Sequence, residues 1–211
     1  MVDFLLLTHV IAGTTALGCA LVAITSKKGL RIHVVAGRIY VVAMSYITLS
    51  ALILSTVRPN PFLFAIGLFS GFIVWSGYRM AVNRTGVVTT SDRITTAIGV
   101  IIVIVMLGYG GILTFSGDSI GFVLIVFGLI IFSFVWENLK FMKSSFPKGK
   151  QRIASHLQRM LGGTIATITA VLVQQVAPAV EGSAALTLLI WLGPTAVITP
   201  LITYWSKKTL S

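Results

Sequence analysis

The sequence predicts an all-α, polytopic membrane protein with seven transmembrane helices, built as a single helical bundle domain over residues 1–211. Hydrophobic residues make up 56% of the chain and charged residues only 10%, whereas roughly one-quarter of the residues of a soluble domain are charged. The apolar residues are grouped into runs of about 20, the length that a helix needs to cross the hydrocarbon core of a bilayer. Composition therefore excludes a soluble globular protein, but it does not indicate an activity.

The predicted spans are the seven runs that are long and apolar enough to cross: residues 4–25, 33–56, 61–82, 94–115, 119–139, 155–177 and 184–206. The first run is predicted to be a span of the mature protein and not a signal peptide, because Asp3 stands where a basic segment would be expected. The single cysteine, Cys19, lies inside this run, so the sequence predicts neither a disulfide nor a zinc site made of cysteines.

The basic residues predict the orientation of the spans. With seven spans, every Lys and Arg except Arg58 lies in or beside the connections after spans one, three and five, or in the C-terminal tail. Cytoplasmic loops collect Lys and Arg, so the N-terminus is predicted outside and the C-terminus in the cytoplasm. The outer connections, at 58–61, at 116–118 and around Glu181, are short. Function is therefore expected within the membrane or at its inner face.

The net charge of +11 would indicate a nucleic-acid partner if the basic residues lay on a soluble surface. Here they flank membrane spans, so the predicted partner is the lipid bilayer, with anionic lipid at the inner face and no nucleic acid. The inner loop at 148–152 is the predicted headgroup contact. An oligomer is also compatible with the sequence.

Three histidines are the first candidates for chemistry, because ionisable groups within a span are costly and are rarely retained without a function. His33 begins span two and His156 begins span six, both at the inner side, where Ser155 and Gln158 match a capping box. The positive end of a helix favours the neutral imidazole that binds metal. His9 lies on the order of 25 Å away in depth, so it is predicted to belong to a proton path or to helix packing.

The inner residues allow several interpretations. His33 and His156 could be the two axial ligands of a b-type haem, with Arg38 or Arg159 contacting the haem propionates. His33 and His156 could instead join Glu137, near the inner end of span five, in a divalent metal site with an open position for water. A third interpretation has no cofactor, with Glu137 paired to an arginine and the histidines acting as polar caps.

The segments 28–40 and 156–160, together with His9 and Gly13, resemble a bacterial multi-pass membrane protein family of unknown function. The resemblance implies that His9, His33, Arg38, His156 and Arg159 are characteristic positions, and it implies a location in the bacterial inner membrane. It implies no activity. A looser similarity links the chain to small membrane cytochromes that hold haem between histidines of separate spans. Three histidines cannot supply the four ligands of the two-haem pattern in that group.

The predicted function is a cofactor-binding, redox-type membrane protein with its histidine site near the inner leaflet. The first alternative is a small-solute or proton-coupled transporter or channel, indicated by Glu137 and by Pro194 and Pro200 in span seven. The second alternative is a lipid-interacting or assembly protein without catalysis. The sequence does not decide whether the protein is an enzyme.

Overall fold

A computed structural model describes residues 2–176 and 183–211, and this part of the chain forms seven α-helices and no strand. The helices are α1 (Val2–Thr25), α2 (Arg31–Val57), α3 (Pro61–Val82), α4 (Thr90–Phe115), α5 (Ile120–Lys143), α6 (Gly149–Val176) and α7 (Ala184–Leu210). The all-helical prediction is confirmed for these residues. The short outer connection predicted around Glu181 lies outside the described part of the chain.

Within the described residues, six helices are long and apolar enough to cross a membrane. The exception is α6, which is 28 residues long but carries more polar residues than the others. Its buried residues include Ser155, Arg159, Thr167 and Thr169. These side chains face the interior of the bundle and not its outer surface. A helix enclosed in this way does not need the apolar surface that a lipid-exposed helix needs.

Several helices extend beyond the predicted spans at the end that was predicted to be cytoplasmic. The helix α4 begins at Thr90, α5 continues to Lys143, α6 begins at Gly149 and α7 continues to Leu210. The added turns are rich in polar residues, which can be solvated at the bilayer surface while the backbone stays helical. A search for apolar runs stops where these polar turns begin.

The helix α3 lies at the centre of the bundle and packs against α2, α4, α5 and α6. Its side chains Phe69, Phe72 and Ile73 are buried, and the rings of Phe69 and Phe127 stack with their centroids 4.6 Å apart. The neighbouring pairs α1–α2, α4–α5 and α6–α7 also pack against each other. The helices α2 and α6 thus each pack against both α1 and α3.

Glycine permits a close approach of α6 to α3 and to the Tyr40 side chain of α2. A Cβ atom added to Gly163 would lie 2.6 Å from Val74 Cγ2 and 2.7 Å from Tyr40 Oη. Gly163→Ala is therefore expected to destabilise the protein by about 1–3 kcal/mol through overpacking. Thermal unfolding in detergent would measure the change. Gly108→Ala is the matched control, because a Cβ at Gly108 meets nothing within 4 Å and alanine is the better helix former. Equal destabilisation of both variants would contradict the packing role.

Candidate functional site

His33 and His156 lie near the N-terminal ends of α2 and α6, at the side that was predicted to be cytoplasmic. Each ring is held by a backbone carbonyl of a different helix. His33 Nδ1 lies 3.0 Å from the carbonyl oxygen of Ala23 in α1, and His156 Nδ1 lies 2.9 Å from that of Gly77 in α3. Both histidines are thus oriented by contacts outside their own helices.

The two carbonyl contacts determine which ring nitrogen carries the proton. A carbonyl oxygen can only accept, so Nδ1 must donate in both rings. In the neutral imidazole, Nε2 then holds a lone pair, and neither Nε2 has a hydrogen-bond partner among the described residues. A donated Nδ1–H with a free Nε2 is the arrangement in which histidine ligates metal, because the outer hydrogen bond orients the ring. His33 and His156 therefore present two potential ligand atoms.

The backbones of α2 and α6 stay apart where the two histidines lie. In the described part of the chain, no Cα atom of α2 comes within 8 Å of one in α6. Large side chains bridge the gap further along the helices. Tyr40 Oη reaches the backbone at Gly163, and Thr167 Oγ1 donates to the sulfur of Met44 over 3.4 Å. The space between α2 and α6 is therefore filled by side chains and not by close backbone packing.

The predicted capping box at Ser155 and Gln158 is wrong. The helix α6 begins at Gly149, so Ser155 and His156 lie in its second turn and not at its start. His33 is the third residue of α2 and does lie at a helix N-terminus, as predicted. The error arose because the segment 149–154 is polar and was assigned to a loop. The dipole of α6 consequently acts on His156 less directly than was expected.

Arg159 is the centre of a buried polar cluster. Its side chain is 0% exposed, and its Nη2 lies 2.8 Å from Glu137 Oε2. The same nitrogen donates to Asn138 Oδ1 over 2.9 Å, and Ser155 Oγ donates to Glu137 Oε1 over 2.9 Å. The guanidinium lies over the ring of Phe134 at 4.8 Å from its centroid. The cluster joins α5 to α6 by polar contacts, although Arg159 Nε is buried without a hydrogen-bond partner among the described residues.

The structure thus contains the ion pair between Glu137 and an arginine that was one interpretation of the sequence, and both carboxylate oxygens of Glu137 have partners. Over residues 2–176 and 183–211, no three His, Cys, Asp or Glu side chains are grouped so that they could hold a metal ion. Arg38 is exposed on α2 and forms no ion pair among these residues. The haem and metal predictions stay predictions.

Two further polar contacts involve residues that were not predicted to belong to the site. Arg152 Nη1 donates to the carbonyl oxygens of Met80 and Ala81, at 3.0 and 2.6 Å, and so satisfies acceptors at the end of α3. Asp92 Oδ1 lies 2.9 Å from Arg79 Nε, and Asp92 also completes a capping box with Thr89. The Thr-x-x-Asp pattern before an apolar run was a usable sequence signal for this cap.

His9 lies far along α1 from this region and contacts a different group. Its Nδ1 is 2.7 Å from Ser50 Oγ. Ser50 itself donates to the carbonyl oxygen of Tyr46 over 2.8 Å, so its oxygen is left to accept from His9. The contact links α1 to α2. This is the kind of polar interhelical contact that was predicted as one of two roles for His9.

The described helices define the class of the protein as a multi-pass α-helical membrane protein. Comparison of the chain with protein-family models, with curated proteins and with solved structures found no match. The particular function therefore has to be inferred from the residues of the site.

Proposed function

We propose that the protein binds a b-type haem between α2 and α6 and serves as a redox protein of the membrane. The observation that carries the proposal is the pair of histidines whose Nδ1 atoms donate to carbonyls at 3.0 and 2.9 Å. Nε2 of His33 on α2 and Nε2 of His156 on α6 would hold the haem iron. Haem with two histidine ligands supplies one-electron chemistry when bound.

The residues around the histidines fit such a ligand in three ways. The carbonyls of Ala23 and Gly77 keep each ring in one tautomer, which raises the basicity of Nε2. No Cα atom of α2 lies within 8 Å of one in α6 among the described residues, so side chains and not close backbone packing separate the two helices. Arg38 is an exposed cation on α2 that can pair with a carboxylate of the ligand. Arg159 is already paired with Glu137, so Arg38 is the residue that would contact the carboxylate of the ligand.

The experiment is an absorption spectrum of the detergent-purified full chain, recorded oxidised and then reduced with dithionite, with elemental analysis of the same sample. Bound haem predicts a Soret band, bands that sharpen after reduction, and about one iron per chain. Zinc, manganese or non-haem iron without a Soret band would reject the haem and favour a metal ion bound by His33 and His156. A colourless, metal-free protein would contradict the proposal and favour transport or lipid binding instead.

We also propose seven spans, with α6 as the sixth, an outer N-terminus and a cytoplasmic C-terminus in the bacterial inner membrane. At 1.5 Å per residue a helix as long as α6 covers about 42 Å, which is enough to cross. The basic connections support the orientation, and they would bind anionic lipid.

Labelling of single cysteines in a Cys19→Ser background tests this topology. With Asn60→Cys, an impermeant maleimide added to intact cells is expected to label the protein. With Lys148→Cys, labelling is expected only after the cells are opened. Labelling of both variants, or of Lys148→Cys alone, in intact cells would overturn the proposed orientation.

A further inference from the structure

A cavity of about 270 Å³ lies between α3, α5, α6 and α7, and neither His33 nor His156 is among its lining residues. Its lining residues on α6 run from Gln158 to Ala166. They lie between about 13 and 25 Å along the helix from its first residue. If α6 spans the bilayer, the cavity is near the middle of the hydrocarbon core. Cavities between the helices of a bundle are common ligand sites.

Most of the cavity wall is apolar and aromatic. Phe69 and Phe127, which stack on each other, and Phe134 line it together with isoleucines. No Asp, Glu, Lys, Arg or His is among the lining residues that the structure describes. A ligand with an ionised carboxylate or phosphate would have no counter-charge here and would lose its hydration. The wall therefore selects an uncharged molecule.

The polar side chains of the wall fall into two groups. Ser133 donates to the carbonyl oxygen of Ile130, and Thr203 donates to that of Thr199, so these hydroxyls are satisfied by their own helices. The Gln158 amide and the Thr195 hydroxyl, both half-buried, line the same cavity without a hydrogen-bond donation to any described residue. Thr199 also lines it but is exposed. Polar groups at membrane depth are costly when they are unpaired. Gln158 on α6 and Thr195 on α7 can therefore donate to acceptors on a ligand.

We infer that this cavity binds a lipid-soluble quinone. A quinone is uncharged, its planar ring suits an aromatic wall, and its two carbonyl oxygens accept hydrogen bonds from opposite sides of the ring. An acyl chain would leave the half-buried Gln158 and Thr195 without an acceptor. The volume is sufficient, since an engineered cavity of about 150 Å³ in another protein already holds benzene. The identity of the ligand rests on the redox function proposed above.

The position of Gln158 adds to the inference. Gln158 is two residues from His156 on α6, and residues separated by two positions point to opposite sides of a helix. His156 contacts α3 through Gly77, whereas Gln158 lines the cavity shared with α5 and α7. A quinone in the cavity would therefore be separated from the histidine site by one helix.

The test is the binding of decylubiquinone to the purified full chain in detergent, followed by the quenching of tryptophan fluorescence. Gln158→Leu is expected to weaken binding about tenfold, since one hydrogen bond to the ligand is lost and the wall keeps its volume. Gln174→Leu is the matched control, because Gln174 is an exposed amide of the same helix and does not line the cavity. Its affinity should equal that of the unmodified chain. Ala166→Phe, which fills the cavity, should abolish saturable binding.

Equal affinity in Gln158→Leu and the unmodified chain would overturn the inference. Competition by decanol as strong as that by the quinone would also overturn it, since it would show a site for any aliphatic chain. The two proposals fail separately. Saturable, Gln158-dependent quinone binding by a protein without haem would support the cavity site and reject the haem. A haem spectrum without quinone binding would support the haem and reject the cavity site.

Discussion

Glu137→Gln is expected to lower the free energy of unfolding by about 3 kcal/mol, because it leaves the Arg159 cation buried without a counter-charge. Breaking a buried pair by removing one partner typically costs about 3–5 kcal/mol. The lower end applies here because the Glu137 side chain is 29% exposed, whereas that of Arg159 is 0% exposed. The introduced glutamine amide would still accept a hydrogen bond from Arg159. The lost stability therefore measures the effect of removing the negative charge.

The measurement is unfolding of the detergent-purified protein in SDS, followed by circular dichroism. Asp118→Asn is the matched control, since Asp118 is exposed and its Oδ1 accepts from the Ile120 amide over 2.9 Å, a bond that asparagine can keep. The control is expected to change stability by less than about 0.5 kcal/mol.

A double variant separates the ion pair from general sensitivity at this position. Combining Glu137→Gln with Arg159→Met removes the buried charge together with its partner, and so most of the lost stability should return. If the double variant is less stable than Glu137→Gln by as much as Arg159→Met alone destabilises the protein, the two residues do not act as a pair. Unchanged stability of Glu137→Gln alone would contradict the burial of a charged Arg159.

His156→Asn and His33→Asn are each expected to abolish the proposed haem absorption while the bundle remains folded. The Nδ2 atom of asparagine can donate to the Gly77 or Ala23 carbonyl in place of the histidine Nδ1, whose contacts are 2.9 and 3.0 Å. Asparagine has no counterpart of Nε2. The substitution therefore removes the potential ligand atom and keeps the interhelical hydrogen bond, unlike a change to alanine.

The readouts are the reduced-minus-oxidised spectrum and the unfolding midpoint of the same samples. His9→Asn is the matched control, because His9 contacts Ser50 through Nδ1 at 2.7 Å and lies far from the other two histidines. It should keep the full absorption. Full absorption in His33→Asn or His156→Asn would reject the assigned ligands, and loss in all three variants with lowered midpoints would show that the bundle is disturbed as a whole.

The sequence was sufficient to predict the all-helical architecture and, within a few residues, the apolar extent of six helices. That prediction succeeds because the bilayer sets one length and one polarity for each span, and both can be counted along the chain. It was least accurate at the inner ends, as at α6, which begins at Gly149 instead of 155. Helix formation there depends on solvation and packing of polar residues, which hydropathy does not register.

The sequence also placed His33, His156, Glu137 and Arg159 near one end of the bundle, because depth follows from the distance to a span end at 1.5 Å per residue. It could not decide which of several arginines would pair with Glu137. Nor could it identify the carbonyls of Ala23 and Gly77 as partners of the histidines, or locate the cavity beside Gln158. These features depend on how each helix is rotated about its axis and on which neighbour it meets. Rotation and neighbour are decided by the packing of side chains between helices, so only the tertiary structure could supply them.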